Sequence, residues 1–273
     1  MTLKEWKTND TEYRITPTTF VKTSRLPFRG TRPDGTPFVW FRPWNHERIT
    51  NEANALKLVS ESTRIPVPKL ISHGKLPDGR RYLETEFVEG VTLNQFPRNC
   101  SKPSHEKHVS DGPCEACSEQ AYLNASNSIQ NAVLPQLATL KSRERGINGF
   151  VMPPSWLQPA FDDGIPLQTW PLHEEEYVFQ HGDIAAHNIM MNEFTLEVQA
   201  LIDWEYAGYF PPGMEKWPRS LDHEAYKNRC PDLDSAVAEF LSEEAKLHPM
   251  PGDSGAGSRL AEITPQPSVI MPL

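Results

Sequence analysis

The hydrophobic and polar positions of this chain change period several times. Residues 36–42, Thr-Pro-Phe-Val-Trp-Phe-Arg, are dominated by aromatic and β-branched side chains and predict a strand. Ahead of it, residues 1–30 are polar and weakly patterned. Residues 51–62 switch to helical spacing, with Ala53, Leu56, Leu58 and Val59 on an approximate apolar face. Ile65-Pro66-Val67-Pro68 then requires extended backbone, because proline fixes its own φ and disfavours helix in the residue before it. A turn at Leu-Pro-Asp-Gly-Arg leads into the strand Tyr82–Val88, which Gly90 ends.

Downstream, residues 97–120 are polar and rich in Pro, Ser, Cys and His, as expected of an inserted loop. A helix is predicted over 120–144, where Tyr122, Ile129, Val133, Leu137 and Leu140 share a face. Residues 150–172 read as loop. The strand Glu176–Gln180 runs into His-Gly-Asp-Ile-Ala-Ala-His-Asn, and a second strand, Leu196–Trp204, follows a turn. A short helix is expected over 232–246, and a Gly-, Ser- and Pro-rich tail over 248–273. The pattern predicts an α+β chain of two lobes: a small β-rich N-terminal lobe over 1–90 and a larger, mainly helical lobe over 91–247 interrupted by the insertion.

Composition narrows the function classes. The 36 acidic against 27 basic residues give a net charge of -9, which disfavours a nucleic-acid partner. No apolar run is long enough to span a membrane, and the first residues do not read as a signal peptide, so the expected location is cytoplasmic, with no membrane partner. Four cysteines in 273 residues do not make a disulfide scaffold.

The segment that carries chemistry runs from His181 to Asp203. It places Asp183, Asn188 and Asp203 at strand ends and in a tight loop, so two carboxylates and a carboxamide can converge. Phosphoryl transfer uses such a set: one carboxylate orients the acceptor hydroxyl, while a second carboxylate and an amide oxygen hold the Mg²⁺ that bridges the phosphates.

H-G-D-x-x-x-x-N followed by a strand ending Ile-Asp-Trp-Glu resembles the catalytic and magnesium-binding segments of the aminoglycoside phosphotransferase/choline kinase-like family. The continuation IDWEYAGYFPP resembles the branch abundant in filamentous fungi. NEANALKLV, IPVPKLI and YLETEFVEG extend the resemblance upstream, so that it spans about 15–246 with 97–120 outside it. It implies a bilobal protein-kinase-like fold and transfer of the γ-phosphate of ATP, with Mg²⁺, to a hydroxyl of a small molecule: an aminoglycoside, amino alcohol, sugar or secondary metabolite. Asp183 would be the catalytic base, braced by His181; Asn188 and Asp203 would bind Mg²⁺; Glu52 would pair with the cation that holds the phosphates; and the backbone of Glu86, Phe87 and Val88 would meet adenine.

Two departures from the family pattern stand out. No Gly-rich loop precedes the 36–42 strand, and that strand offers no lysine. Arg42, ten residues before Glu52, is the expected substitute, with Lys22 the less favoured donor. These gaps keep open a second reading, a kinase-like protein that binds a nucleotide or metabolite without transferring phosphate. A protein kinase is disfavoured, since no D-F-G or A-P-E is present.

Other signals weigh less. Cys100, His105, His108, Cys114 and Cys117 have soft-ligand composition, but the single Cys-x-x-Cys knuckle favours a solvated insertion over a structural zinc site. Glu174-Glu175-Glu176 reads as a solvated face that would also draw a cationic acceptor. Glu205 would face metal or substrate. His187 reads equally as an acceptor contact or a packed side chain, and Trp204, Tyr206, Tyr209 and Phe210 as acceptor pocket or core.

Overall fold

The computed structural model describes residues 4–103, 106–148, 150–152, 177–210 and 215. The fold is a bilobal α+β arrangement with a β-rich N-terminal region and a more helical C-terminal region. The expected loop over 150–172, apart from its first three residues, the 232–246 helix and the 248–273 tail lie outside the described residues, as do His105 and Glu174–Glu176.

The N-terminal sheet has five strands: β1 (Lys4–Lys7), β2 (Thr11–Ile15), β3 (Thr19–Ser24), β6 (Leu70–Lys75) and β7 (Arg81–Glu86). Their order is β1-β2-β3-β7-β6, with every pairing antiparallel. Three of these strands fall in the first 30 residues, where the sequence shows no clear alternation. The cause is the content of the covered face. Its inward positions include Tyr13 and Lys22, which stand opposite each other, and Lys22 stands opposite Leu83. A buried lysine breaks the alternation that marks a half-buried strand.

The predicted 36–42 strand is shorter, β5 (Pro37–Trp40), and pairs only with β4 (Phe28–Thr31) in a separate hairpin outside the main sheet. Helix α1 (Asn45–Ser62) begins six residues earlier than its apolar stripe predicts. Its first two turns bury Asn45, Arg48 and Asn51, polar residues that give no hydrophobic signal but are hydrogen-bonded. On the apolar side Ile49, Ala53, Leu56 and Val59 pack toward Leu83.

Beyond Gly90 come β8 (Val91–Thr92), α2 (Glu115–Ser128), a π-turn at Ile129–Val133 and α3 (Leu134–Leu137). Helix therefore covers 115–137 rather than 120–144, and the end of the supposed insertion is its first turn. That turn buries Cys117 and Ser118, and the next ones Ala121 and Ala125, small side chains that carry little periodic signal. β9 (Lys141–Ser142), β10 (Tyr177–Gln180) and β13 (Gly208–Phe210) form one three-stranded sheet. β11 (Ile189–Met191), β12 (Val198–Leu201) and β8 form another. The extended Ile65–Pro68 run lies against this second sheet, where Leu201 donates its amide to the Pro66 carbonyl at 2.9 Å.

One hydrophobic cluster crosses both lobes, from Ile49, Leu56 and Leu83 through Leu93 and Ile129 to Phe179, Ile189, Leu201 and Trp204. Among the described residues no helix is long and apolar enough to cross a membrane. Leu56 is buried, whereas Leu58 on the same helix is half-buried. Leu56→Ala should cost about 2–5 kcal/mol, the range for a cavity in a packed core, and Leu58→Ala clearly less. Urea denaturation of the two variants beside the parent chain checks this, and equal losses would contradict the packing.

Candidate functional site: the charged cluster between the lobes

The β10–β11 connection is shaped by its glycine and its histidine. Gly182 has φ +81°, and a Cβ there would stand 2.5 Å from the Tyr206 carbonyl oxygen, so no other residue fits. His181 is fully buried against Trp204, ring centroids 4.4 Å apart. The Asp183 amide donates to its Nδ1 at 3.3 Å, and its Nε2 lies 3.1 Å from the Ile202 carbonyl. This pair of contacts requires a proton on Nε2 and none on Nδ1. His181 thus ties the Asp183 loop to the strand leading to Asp203.

Asp183 is buried. The Asn188 side-chain amide donates to its carbonyl at 2.9 Å and to its carboxylate at 3.2 Å. With its nitrogen so committed, Asn188 keeps its amide oxygen for a further partner. His187 Nε2 stands 3.8 Å from the Asp183 carboxylate. Asn188 also accepts the Ile202 amide at 3.0 Å through its backbone carbonyl, which sets it one residue from Asp203 across the β11–β12 hairpin. Asp203 itself has left-handed backbone, φ 65° and ψ 55°. That conformation is uncommon outside glycine, and aspartate is among the side chains that tolerate it.

The cation facing Asp203 is Lys22, not Arg42. Its ammonium lies 2.8 and 3.0 Å from the two Glu52 oxygens and 2.5 Å from Asp203 Oδ1. Burial alone would lower the Lys22 pKa, but Asp203 and Glu52 outweigh it and raise it, so the ammonium stays charged. Burial works to raise Asp203, and Lys22 outweighs it there too, leaving that carboxyl below its ordinary value. Burial pushes Glu52 upward against the pull of Lys22.

Arg42 belongs to a neighbouring cluster. It bonds Asp10, the Tyr206 hydroxyl at 2.6 Å and Glu205 at 3.2 Å. Arg48, one turn before Glu52, bonds Glu205, Thr11 and Asn45, the last at 2.9 Å, and lies 3.5 Å from Asp10. The pairing expected between Arg42 and Glu52 fails for a topological reason. The β4–β5 hairpin carries Arg42 outside the main sheet, while β3, beside α1, carries Lys22. The signal for Lys22 was its place in the short strand-like run Thr-Phe-Val-Lys; for Arg48, its position four residues before Glu52.

Further contacts lock the lobes together. Asn51 donates to the carbonyls of Glu205 and Ala207 at 3.0 and 2.8 Å. Trp204 and Phe210 are fully buried and Tyr206 nearly so, while Tyr209 is half-buried, so these aromatics serve mainly as core. Of the expected adenine-binding segment, the Glu86 amide is given to the Lys69 carbonyl and the Phe87 amide to that of Thr18, both at 2.9 Å. The turn between β1 and β2, Thr8-Asn9-Asp10, contains no glycine.

The donor set suits a hard divalent cation. Glu52, Asp203 and Glu205 bring carboxylate oxygens within 4.8 Å of one another. Glu52 and Glu205 are held by Lys22, Arg42 and Arg48, so Asp203, one-third exposed, is the carboxylate with an oxygen to spare.

Comparison with known proteins places the same segment in view. Residues 131–218 match the model of the Phosphotransferase enzyme family, a stretch that holds His181, Asp183, Asn188, Asp203 and Glu205. No curated protein matches the chain. Among solved structures it is similar to the aminoglycoside phosphotransferase APH(3'')-Id from Streptomyces rimosus, at 13% identity and TM-score 0.49 over 90% of this chain and 86% of that one. It is also similar to an aminoglycoside-3'-phosphotransferase of type VIII, at 15% identity and TM-score 0.41 over 94% and 87%. A third is a thermostable mutant of the aminoglycoside phosphotransferase APH(4)-Ia in complex with AMP-PNP and hygromycin B, at 13% identity and TM-score 0.41 over 90% of each chain.

Proposed function

We propose that this chain is a phosphotransferase of the aminoglycoside phosphotransferase family that moves the γ-phosphate of ATP, with Mg²⁺, to a hydroxyl of a small molecule. The observation that carries the reading is Lys22 held between Glu52 of one lobe and Asp203 of the other, with Asp183, bonded to Asn188, near enough for its charge to act on Asp203. That arrangement offers a fixed cation for phosphate oxygens next to oxygen ligands for a metal. Asn188 and Asp203 would hold Mg²⁺, which when bound neutralises charge on the phosphates.

The chain's own side chains take the remaining roles. Asp183 orients the acceptor hydroxyl and takes its proton, its carboxylate aimed by the Asn188 amide and its loop braced by His181. Lys22 supplies the positive charge for the α- and β-phosphates. Since the Glu86 and Phe87 amides are already used within the N-terminal lobe, the Val88 amide and the neighbouring carbonyls are the groups left for the adenine edge. Phe20, Tyr13 and Trp6 form an aromatic surface on the Lys22 face of the sheet, with Trp6 and Tyr13 stacked at 4.9 Å. Phe20 stands opposite Thr85, next to the 86–88 segment, where a purine could stack.

A second reading, nucleotide binding without transfer, draws on the glycine-free β1–β2 turn. Its Asp10 carboxylate would repel phosphates were it not held by Arg42 and Arg48. Calorimetry with a non-hydrolysable ATP analogue, with and without Mg²⁺, beside a phosphate-transfer assay over hydroxylated acceptors, separates the two. Asp183→Asn should bind the analogue like the parent and lose turnover by about 10²–10⁴-fold. Asp203→Asn should lose the Mg²⁺-dependent part of binding as well. An Asp183→Asn protein that transfers phosphate at the parent rate overturns the assignment, and a parent that binds without turning over supports the second reading.

The cation assignment has its own test. Lys22→Met should abolish analogue binding and cost about 3–5 kcal/mol of stability, because it strands buried Glu52 without a partner. Lys22→Met/Glu52→Gln should recover part of the stability and none of the binding. Arg42→Ala leaves Lys22–Glu52 intact and should keep most of the analogue affinity. Urea melts and calorimetry read both effects. Binding that survives Lys22→Met but fails in Arg42→Ala would return the role to Arg42.

A further inference from the structure

Far along the chain from Lys22 and Glu52, the polar stretch after β8 brings four soft side chains to one point. Cys100, His108, Cys114 and Cys117 each offer an atom within 4.8 Å of all the others. The sulfurs of Cys100 and Cys117 are 3.8 Å apart, far beyond the length of a disulfide bond. His108 Nδ1 lies 3.4 Å from the Cys114 sulfur and 3.6 Å from that of Cys117. A tetrahedral zinc with bonds of about 2.3 Å to sulfur and about 2.0–2.1 Å to nitrogen sets its ligands about 3.5–3.8 Å apart. Three of the six separations, 3.4, 3.6 and 3.8 Å, stand within about 0.1 Å of those values, and all six lie within 4.8 Å.

The surroundings are built for thiolates. Cys114 caps α2 and Cys117 sits in its first turn, where the helix N-terminus favours negative charge. Backbone amides of Lys102 and His108 point at the Cys100 sulfur and that of Ser101 at Cys117. Three thiolates and a neutral imidazole around Zn²⁺ carry one net negative charge, which these amides offset. The two arms of the loop are fixed by the Asn99–Pro113 bridge and by the Cys114 amide bonded to the Arg98 carbonyl at 2.8 Å. Cys114 and Cys117 are buried within the hydrophobic cluster, Cys100 is half-buried, and His108 is exposed and closes the outer side.

We infer that Cys100, His108, Cys114 and Cys117 bind one structural zinc ion, which ties the segments around Cys100 and His108 to the start of α2. Thiolate and imidazole donors in a closed four-ligand set select zinc over hard cations. The role is structural, because all four positions are taken by protein and none remains for water or substrate. The placement gives it leverage on the fold. Further along α2, Asn124 donates to the Leu196 carbonyl at 2.9 Å, in the turn of the hairpin whose ends carry Asn188 and Asp203. The inference stands independently of the proposed phosphoryl transfer.

The full chain purified without chelator should contain about one zinc per molecule by elemental analysis. X-ray absorption should show three sulfurs at about 2.3 Å and one nitrogen at about 2.0–2.1 Å. Cobalt replacement should give the intense visible bands of a tetrahedral thiolate site. Cys114→Ser/Cys117→Ser should lose the metal and melt at least about 5 °C lower, whereas His108→Cys should keep zinc with four sulfurs in its shell. A parent chain that takes up neither zinc nor cobalt overturns the proposal. So does a shell of oxygen ligands, iron in place of zinc, or zinc retained in the double variant. The absorption and cobalt measurements use the parent chain, so they decide the matter even if the double variant does not fold.

Discussion

A buried ammonium shared by two carboxylates from different lobes is the constraint around which this molecule is arranged. Lys22 cannot be left unpaired in the interior, since an isolated charge there would cost several kcal/mol. Satisfying it requires β3 and α1 in register, so that Glu52 reaches it. It also requires the β11–β12 hairpin to end in a left-handed Asp203, so that the second carboxylate does too. The unusual backbone at Asp203 and the close packing of Gly182 against Tyr206 are local costs of bringing that carboxylate to the lysine.

The arginine cluster beside it extends the same logic outward. Glu205 follows Asp203 by two residues and meets Arg48, which precedes Glu52 by one helical turn, so the two ion clusters run in parallel from the second lobe to the same helix. Arg42 and Asp10 add the β1–β2 turn and the short stretch between β5 and α1 to the network. Pairs so enclosed add little net stability compared with apolar packing, but they define geometry strictly, because any other register would leave charges alone. Asn51, bonded to the backbone on both sides of Tyr206, fixes the same interface without charge.

How much of this could be read beforehand differed between the lobes. His181, Asp183, Asn188 and Asp203 are close in sequence and lie on one strand-loop-hairpin unit, so their spacing alone brought them together. Lys22 and Glu52 are 30 residues apart, and the β4–β5 hairpin between them carries the more conspicuous apolar run, which sets Arg42 rather than Lys22 next to the strongest strand signal. The start of α1 was hidden because Asn45, Arg48 and Asn51 are buried through hydrogen bonds rather than apolar contact. The start of α2 was hidden because its buried side chains are small. In the soft-ligand loop the Cys114-x-x-Cys117 pair was visible. That Cys100 and His108 meet it depends on a loop closure that no periodicity encodes.

The hydrophobic cluster that passes without a break from Leu83 and Leu56 to Ile189 and Trp204 bears on how the protein comes apart. Lobes with separate cores could melt one after the other. Here the side of α1 that covers the N-terminal sheet belongs to the same packed mass as the strands behind Asp203, so loosening either region exposes the other. Among the described residues, the N-terminal sheet, α1 and the strands behind Asp203 thus share one core, and denaturation should take them in a single transition.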